Sequence, residues 1–159
     1  MSDYCVRPAD GSDLDTLVRF NLALARESEG RVLNESVLRA GVAALLADRD
    51  KGRYFVAHTD SQTVGQLLVT YEWSDWRNGW FWWLQSVYVR PEHRRRGVLR
   101  VLVNYVLNLA RANGRVIGLR LYVESANLLA QEVYRRLGFE ATGYRVMECT
   151  PLPHPACNP

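Results

Sequence analysis

Residues 87–100 read VYVRPEHRRRGVLR, and this stretch decides how the chain around it folds. It opens with β-branched and aromatic residues typical of a strand, and Pro91 cannot continue a ladder of backbone hydrogen bonds. After Gly97, apolar residues recur at spacings of three and four, which predicts a helix over 98–112. A strand therefore leads through a short basic loop into a helix, whose first turn carries unpaired N–H groups and partial positive charge.

The loop between this strand and this helix suits an anion. Helix N-termini bind phosphate groups, and Gly97 lets the backbone approach such a group closely. Charge-assisted contacts would come from Arg94, Arg95, Arg96 and Arg100. Two other interpretations stay open for the segment alone: an ordinary turn with a solvated basic surface, or a nucleic-acid patch. A Walker loop is excluded because Gly-Lys-Ser/Thr is absent.

The rest of the chain predicts further strands and helices on both sides of this loop. Strands are expected over 4–7, 53–58, 63–72, 80–90, 116–123 and 144–149. The other helices are expected from Ser12 or Asp13 to Gly30, from Asn34 or Ser36 to the turn at 48–52, and over 127–137. Consecutive strands indicate an antiparallel half, and strand–helix–strand indicates a parallel crossover. The fold class is α/β (α+β), a mixed, mostly antiparallel sheet flanked by helices.

Composition favours one folded domain, expected over 1–149, with a proline-rich tail at 150–159. The chain has 159 residues, of which 48% are hydrophobic and 23% charged. No run of about 18 apolar residues indicates a membrane span, and the acidic N-terminus does not resemble a signal peptide. Cys5, Cys149 and Cys157 are odd in number and lack metal-type spacing, which indicates reduced thiols in a cytoplasmic protein. No metal site is expected, and a net charge of +3 gives little support to nucleic-acid binding.

Two segments carry a family resemblance. The basic loop resembles the acetyl-CoA signature of the GNAT N-acetyltransferase superfamily, Arg/Gln-x-x-Gly-x-Gly/Ala, written here as RRRGVL over 94–99. Residues 121–139, LYVESANLLAQEVYRRLGF, are similar to a later signature of that superfamily through Asn127, Ala130, Tyr134 and Gly138-Phe139. The resemblance covers roughly 4–148 and is strongest over 82–139.

The resemblance implies a site in which two parallel strands splay apart and acetyl-CoA lies between them as co-substrate, without a metal. The residues that it assigns to acetyl-CoA are Val87, Tyr88 and Val89 through their backbone, then Arg94, Arg95, Arg96, Gly97, Val98, Leu99 and Arg100, and finally Asn127 and Tyr134. An amine acceptor would attack the thioester directly. Analogy with the superfamily also suggests a homodimer.

Asn127 and Tyr134 also have a physical interpretation of their own. They are seven residues apart, which places them on one face of a helix. The phenol of Tyr134 is a fitting acid to protonate a departing thiolate, although a core aromatic with a satisfied hydroxyl is the alternative. Asn127 could bond the co-substrate or act as a plain N-cap.

The general base and the acceptor site are less defined. Many relatives carry a carboxylate on the central strand where this chain has Gln85, so the base is sought among Glu72, Asp75, Glu124 and a water chain, with Glu72 preferred. Acids would attract a cationic amine and tryptophan faces would hold it. The predicted acceptor residues are Glu27, Glu29, Trp73, Asp75 and Gln85. Alternation puts Trp80 and Trp82 on one face of the sheet and Phe81 and Trp83 on the other, so at least one set belongs to the core.

The leading hypothesis is an acetyl-CoA-dependent N-acetyltransferase acting on the primary amine of a small molecule. A protein N-terminal or lysine acetyltransferase is the alternative within the same chemistry. A non-catalytic acyl-CoA-binding regulator and a nucleic-acid binder are the alternatives from other classes.

Overall fold

The computed structural model describes residues 4–152, so Cys157, His154 and most of the tail predicted at 150–159 lie outside the described residues. The strands are β1 (Cys5–Pro8), β2 (Arg53–His58), β3 (Thr63–Ser74), β4 (Gly79–Val89) and β5 (Val116–Leu121). The helices are α1 (Leu14–Glu29), α2 (Glu35–Ala47), α3 (Val98–Asn113) and α4 (Leu128–Arg136). Short 3-10 turns precede α1 and α3.

The five strands form one sheet in the order β1-β2-β3-β4-β5. The first four strands are antiparallel, and β5 runs parallel to β4 after the crossover through α3. The predicted mixed, mostly antiparallel sheet flanked by helices is therefore confirmed. Each face has its own buried cluster: Leu17 and Val42 of α1 and α2 cover one face, and Leu102 and Val106 of α3 cover the other.

The helix boundaries follow from local chemistry. Asn34 caps α2 by accepting from the N–H groups of Ser36 and Val37 at 3.0 and 3.2 Å. Gly30 ends α1 with φ 62°, a conformation that glycine adopts without steric cost. Helix α1 begins directly after Asp13, one of the two predicted cap residues, but the Asp13 side chain does not cap this helix. Asp10 caps the preceding 3-10 turn, and the Asp13 carboxylate accepts from the Asp10 N–H at 2.9 Å.

The sixth strand predicted over 144–149 is wrong. This segment is irregular, and the side chains of Tyr144 and Val146 are 83% and 69% exposed. Tyr144 and Val146 favour extended structure, but β-propensity forms a strand only where a neighbour supplies hydrogen bonds and packing. Within residues 4–152 the sheet ends at β5.

Candidate active site

The sheet opens between β4 and β5. The two strands pair from Trp80 and Val116 to Leu84 and Leu121, where β5 ends while β4 continues to Val89. Just past the last pair, Ser86 takes φ 48° and the register between β3 and β4 shifts, which marks a bulge. Beyond Leu84 the outer edge of β4 therefore has no strand beside it within residues 4–152.

The free edge of β4 presents backbone groups to this opening. The N–H of Arg90 donates to the carbonyl of Val64 on β3 at 2.9 Å. Because successive residues of a strand direct their N–H and C=O to opposite sides, those of Val89 and Val87 point away from β3, into the opening. The carbonyl of Val89 accepts there from Arg94 Nε at 2.9 Å.

The basic loop lies immediately after this edge and is lined by free N–H groups. Within residues 4–152, none of the six consecutive backbone N–H groups from Arg95 to Arg100 has a protein acceptor, and the first helical bond runs from Val101 to Gly97 at 3.0 Å. Left-handed conformations at Arg95 (φ 60°) and Gly97 (φ 89°) bend the chain into the kind of turn that binds anions. Arg95, Arg96 and Arg100 form no ion pair with the described residues.

Two residues expected to contact a bound group are directed instead to the core. Val98 is buried and Leu99 packs against the cluster beneath α3. Only their backbone N–H groups are available to a ligand of the loop.

Arg94 is engaged differently from its neighbours. Its guanidinium pairs with the carboxylate of Glu27 near the end of α1, and Glu27 also accepts from the Tyr88 hydroxyl at 3.2 Å. Burial, followed by the neighbouring Glu27 carboxylate, raises the pKa of Tyr88. Glu27 thus lies beside the basic loop, while Glu29, predicted with it as an acceptor residue, is exposed and pairs with Arg31 at 3.4 Å.

Helix α4 carries the residues of the second motif. The Asn127 side chain accepts from the Ala130 N–H at 3.0 Å, so Asn127 acts as the N-cap of α4. Tyr134 packs edge-on against Phe139 with ring centres 5.8 Å apart. Burial raises the pKa of Tyr134, and its hydroxyl has no hydrogen-bond partner within residues 4–152.

On the α1 side of the sheet, a polar and aromatic surface adjoins the opening. Gln85 donates to the Thr70 hydroxyl at 2.5 Å, and Trp83 stacks on Tyr122 with ring centres 4.4 Å apart. Tyr122 immediately follows β5, so this stack stands at the point where β4 and β5 separate. We call the set Thr70, Glu72, Phe81, Trp83, Gln85, Arg120 and Tyr122 the acceptor face.

Glu72, predicted as the base, has both oxygens engaged. Oε1 pairs with Arg120 Nη1 at 2.6 Å, and Oε2 accepts from Trp83 Nε1 at 2.5 Å. Arg120 reaches Glu72 by crossing the ring of Phe81, with its guanidinium carbon 3.6 Å from the ring centre. The carboxylate joins β3 to β4 and β5 through these contacts.

Two predicted acceptor residues lie elsewhere. Trp73 points to the α3 side of the sheet, where it packs against Trp80 at 5.0 Å and beneath Arg115. Asp75 lies in the exposed β3–β4 turn and accepts from the Trp76 N–H at 2.9 Å. The predicted alternation of the tryptophans is confirmed, because Trp82 packs on the α3 side and Trp83 belongs to the acceptor face.

Comparison with known proteins identifies the family. The family model described as "Acetyltransferase (GNAT) family" matches residues 22–139. The chain belongs to the GNAT family. A solved structure of a possible acetyltransferase from Clostridium difficile 630 is 44% identical in sequence and has a TM-score of 0.86. The match covers 92% of this chain and 96% of that protein.

Two curated relatives of this GNAT chain are more distant. An uncharacterized N-acetyltransferase from Methanocaldococcus jannaschii is 27% identical over 138 residues, which are 86% of this chain and 61% of that protein. The chain thus spans about three fifths of the length of that relative. A peptidyl-lysine N-acetyltransferase from Salmonella typhimurium is 29% identical over 122 residues, covering 76% of this chain and 73% of the relative.

Sequence reasoning missed Arg120 and Tyr122 of this GNAT chain. Their signal was the alternation of Gly118, Arg120 and Tyr122 along a strand whose other face is apolar. A Cβ on Gly118 would lie 2.9 Å from the Phe81 ring, so glycine makes room for the ring over which Arg120 lies.

Among the described residues no group of histidine, cysteine and acidic side chains suits a metal ion. No helix of that part of the chain is long and apolar enough to cross a membrane.

Proposed function

We propose that this chain transfers the acetyl group of acetyl-CoA to the primary amine of a small molecule. The observation that carries the proposal is the continuity between the free N–H groups of residues 95–100 and the open edge of β4 at Val87 and Val89. One end of this path suits phosphate and the other suits amide groups. Acetyl-CoA, the substrate of GNAT proteins, carries both phosphate and amide groups. Membership of the family therefore supports acetyl-CoA as the ligand of this path.

The residues present fit acetyl-CoA in charge and in hydrogen bonding. The pyrophosphate would accept from the loop N–H groups, with Arg95, Arg96 and Arg100 as counter-charges. The amides of the pantetheine arm would bond the N–H and C=O groups of Val87 and Val89, in the manner of an added strand. Asn127 already caps α4, so its part in binding is to fix the start of that helix.

Acetyl transfer requires stabilisation of negative charge on the thioester oxygen. A backbone N–H at the open edge of β4, next to the bulge at Ser86, would donate to that oxygen as the amine attacks. The amine nitrogen bonds to the acetyl carbon, and the carbon–sulfur bond breaks with its electron pair on sulfur.

Tyr134 is the proposed acid for the departing sulfur. Its phenol proton passes to the thiolate, and the tyrosinate recovers a proton that the amine releases. Burial raises the pKa of Tyr134, so the phenol stays protonated throughout the neutral range. The absence of a partner for its hydroxyl within residues 4–152 leaves that proton available.

The route by which the amine loses its proton stays a prediction. Gln85 cannot accept a proton, and Glu72 is held by Arg120 and Trp83. Each Glu72 oxygen keeps a second lone pair, so the carboxylate could still accept a proton through water.

A protein lysine is the second candidate acceptor. It is favoured by the similarity to the Salmonella typhimurium peptidyl-lysine N-acetyltransferase. The small-molecule assignment is preferred because the acceptor face lies at the point where the strands separate and includes the stacked pair Trp83 and Tyr122.

Thermal melting with acetyl-CoA, followed by thiol release against an amine panel, tests the proposal. At 100 times the Kd, acetyl-CoA should stabilise the protein by about 2.7 kcal/mol. Free coenzyme A should then appear only when an amine is added. Stabilisation without release on any amine or lysine peptide would indicate the non-catalytic regulator, and no stabilisation would contradict acetyl-CoA binding.

A further inference from the structure

The charges on the acceptor face differ from those expected of a site for a polycation. Four acids were predicted as base or acceptor residues, and three of them are neutralised: Glu72 pairs with Arg120, Glu27 with Arg94, and Glu29 with Arg31. They therefore supply no net negative charge to attract a cationic amine. Asp75 has no ion pair within residues 4–152, but it lies in the exposed turn.

Positive charge is in excess around Phe81. The guanidinium carbon of Arg120 lies 3.6 Å from the centre of the Phe81 ring, and that of Arg77 lies 5.6 Å from the same centre. Glu72 compensates one of these two charges. Arg77 has no ion pair within residues 4–152, so no contact with a carboxylate compensates its charge at the Phe81 ring.

Arg120 is held in a position from which it can bind a ligand. Glu72 occupies Nη1 at 2.6 Å, the Phe81 ring supports the guanidinium plane, and the side chain is 27% exposed. Its other N–H groups have no acceptor among the described residues. A guanidinium fixed in this way presents a planar fork of donors that matches a carboxylate.

Arg120 also lies next to the opening of the sheet. In the β4–β5 ladder Arg120 lies opposite Trp83, one residue before the last position of the ladder, at Leu84 and Leu121. One residue along a strand is about 3.3 Å. An amine at the opening would therefore bring a neighbouring substituent into reach of the Arg120 side chain.

We infer that the acceptor is an amine that also carries a carboxylate, and that Arg120 binds this carboxylate with support from Arg77. The inference rests on the proposed acetyl transfer and specifies its acceptor as an amino acid rather than a polyamine or aminoglycoside. Trp83 and Tyr122 offer an aromatic surface to the apolar part of such an acceptor. Arg120 is a specificity-determining residue and takes no part in the proton transfers.

Matched acceptors test this inference. Phenylalanine, phenylalaninamide and phenethylamine differ only in the group beside the amine, as do lysine, lysinamide and cadaverine. Initial rates are expressed per concentration of unprotonated amine, because removal of the carboxylate changes the amine pKa. The free carboxylate should raise kcat/KM over the amide by about 10- to 100-fold, as expected for a charge-assisted hydrogen bond.

Variants assign the preference to Arg120. Arg120→Gln should lower the carboxylate-to-amide ratio of kcat/KM about 10-fold or more, whatever effect the release of Glu72 has on the rate with the amide. Glu72→Gln should increase the carboxylate-to-amide ratio several-fold, because it removes the competing anion; the ratio cancels any effect on proton transfer. Arg115→Gln, at a guanidinium on the opposite face, is the control and should leave the ratio unchanged.

A binding measurement separates this inference from the proposed function. Calorimetry with N-acetylphenylalanine and its amide, on protein saturated with coenzyme A, needs no turnover. Tighter binding of the carboxylate, lost in Arg120→Gln, supports the inference even if transfer fails. Equal binding of acid and amide, an unchanged ratio in Arg120→Gln, or preference for cadaverine over lysine would overturn it. Acetyl-CoA binding without transfer to any amine would contradict the proposed function instead.

Discussion

The buried amide of Gln66 donates a hydrogen bond of 3.1 Å to the carbonyl of Ser86, at the point where β4 leaves β5. Gln66 is fully buried on β3, and its own Oε1 has no partner within residues 4–152. A buried amide whose oxygen is left without a hydrogen bond needs a reason. The reason we infer is that it fixes the bulge and so keeps the outer edge of β4 available.

Gln66→Leu should therefore affect binding more than stability. The variant loses one hydrogen bond, worth about 1 kcal/mol, but also removes an unsatisfied buried oxygen, so the free energy of unfolding should change by less than about 1 kcal/mol. Acetyl-CoA should bind about 5-fold more weakly by calorimetry, since a bulge that is no longer fixed spends time in other conformations. Val42→Ala is the control, because Val42 is buried in the cluster beneath α1 and α2 and its loss should lower stability but leave Kd unchanged. Equal Kd values in Gln66→Leu and the wild type would contradict this role.

The two glycines that flank α3 offer a matched pair for the basic loop. Gly97 precedes the helix with φ 89° and Gly114 follows it with φ 68°, and a Cβ at either would meet no close neighbour. Alanine at either position should destabilise the protein by about 1 kcal/mol through the left-handed backbone, and lower Tm by about 2–4 °C. Only Gly97→Ala should also weaken the binding of acetyl-CoA, by about 10-fold or more, because the left-handed backbone at Gly97 positions the free N–H groups of the loop. A similar loss of binding in Gly114→Ala would show that the effect is general destabilisation.

Tyr134→Phe tests the proposed acid. The hydroxyl has no partner within residues 4–152, so its removal should leave Tm and the Kd for acetyl-CoA nearly unchanged, while kcat should fall by about 100-fold or more. Burial raises the pKa of Tyr134 above its ordinary value of 10.0, so the alkaline decline of wild-type kcat should come at a higher pH than an ordinary tyrosine would give. The same shift makes stability fall as pH rises from the unfolded pKa of about 10 through the folded pKa, because the unfolded phenol ionises first.

The control for this prediction is Tyr144→Phe, at an exposed tyrosine outside the helices and strands. It should match the wild type in kcat. A Tyr134→Phe variant that keeps full kcat would contradict the assignment of the acid and favour a core aromatic at this position.

Much of the fold could be predicted because its signals are local. The end of β4 at Pro91, the caps at Asn34 and Gly30, and the helical spacing after Gly97 each depend on a few adjacent residues. The strand predicted at 144–149 failed for the opposite reason, since a strand needs a partner that lies far away in sequence.

The charges of the site could not be predicted for a similar reason. Glu72 was expected as a free base, but its partner Arg120 is 48 residues away and the two meet only across Phe81. Glu27 was expected at the acceptor, but it meets Arg94 across 67 residues. Residue type and spacing indicate which groups can carry chemistry, whereas the pairing of those groups depends on which strands are neighbours.

The pair of Glu27 and Arg94 leads to a last prediction. In the structure the carboxylate of Glu27 holds the signature arginine of the loop, and a pyrophosphate would compete with it for the same guanidinium. Glu27→Gln should therefore tighten acetyl-CoA binding by up to about 5-fold, the scale of a half-exposed ion pair. Glu29→Gln is the control, because the one ion pair of Glu29 among the described residues is with Arg31, and the variant should leave Kd unchanged. Since salt screens the competing pair, the gain in Glu27→Gln should shrink between 50 mM and 500 mM sodium chloride. Weaker binding in Glu27→Gln would mean that the carboxylate positions Arg94 for the pyrophosphate rather than competing with it.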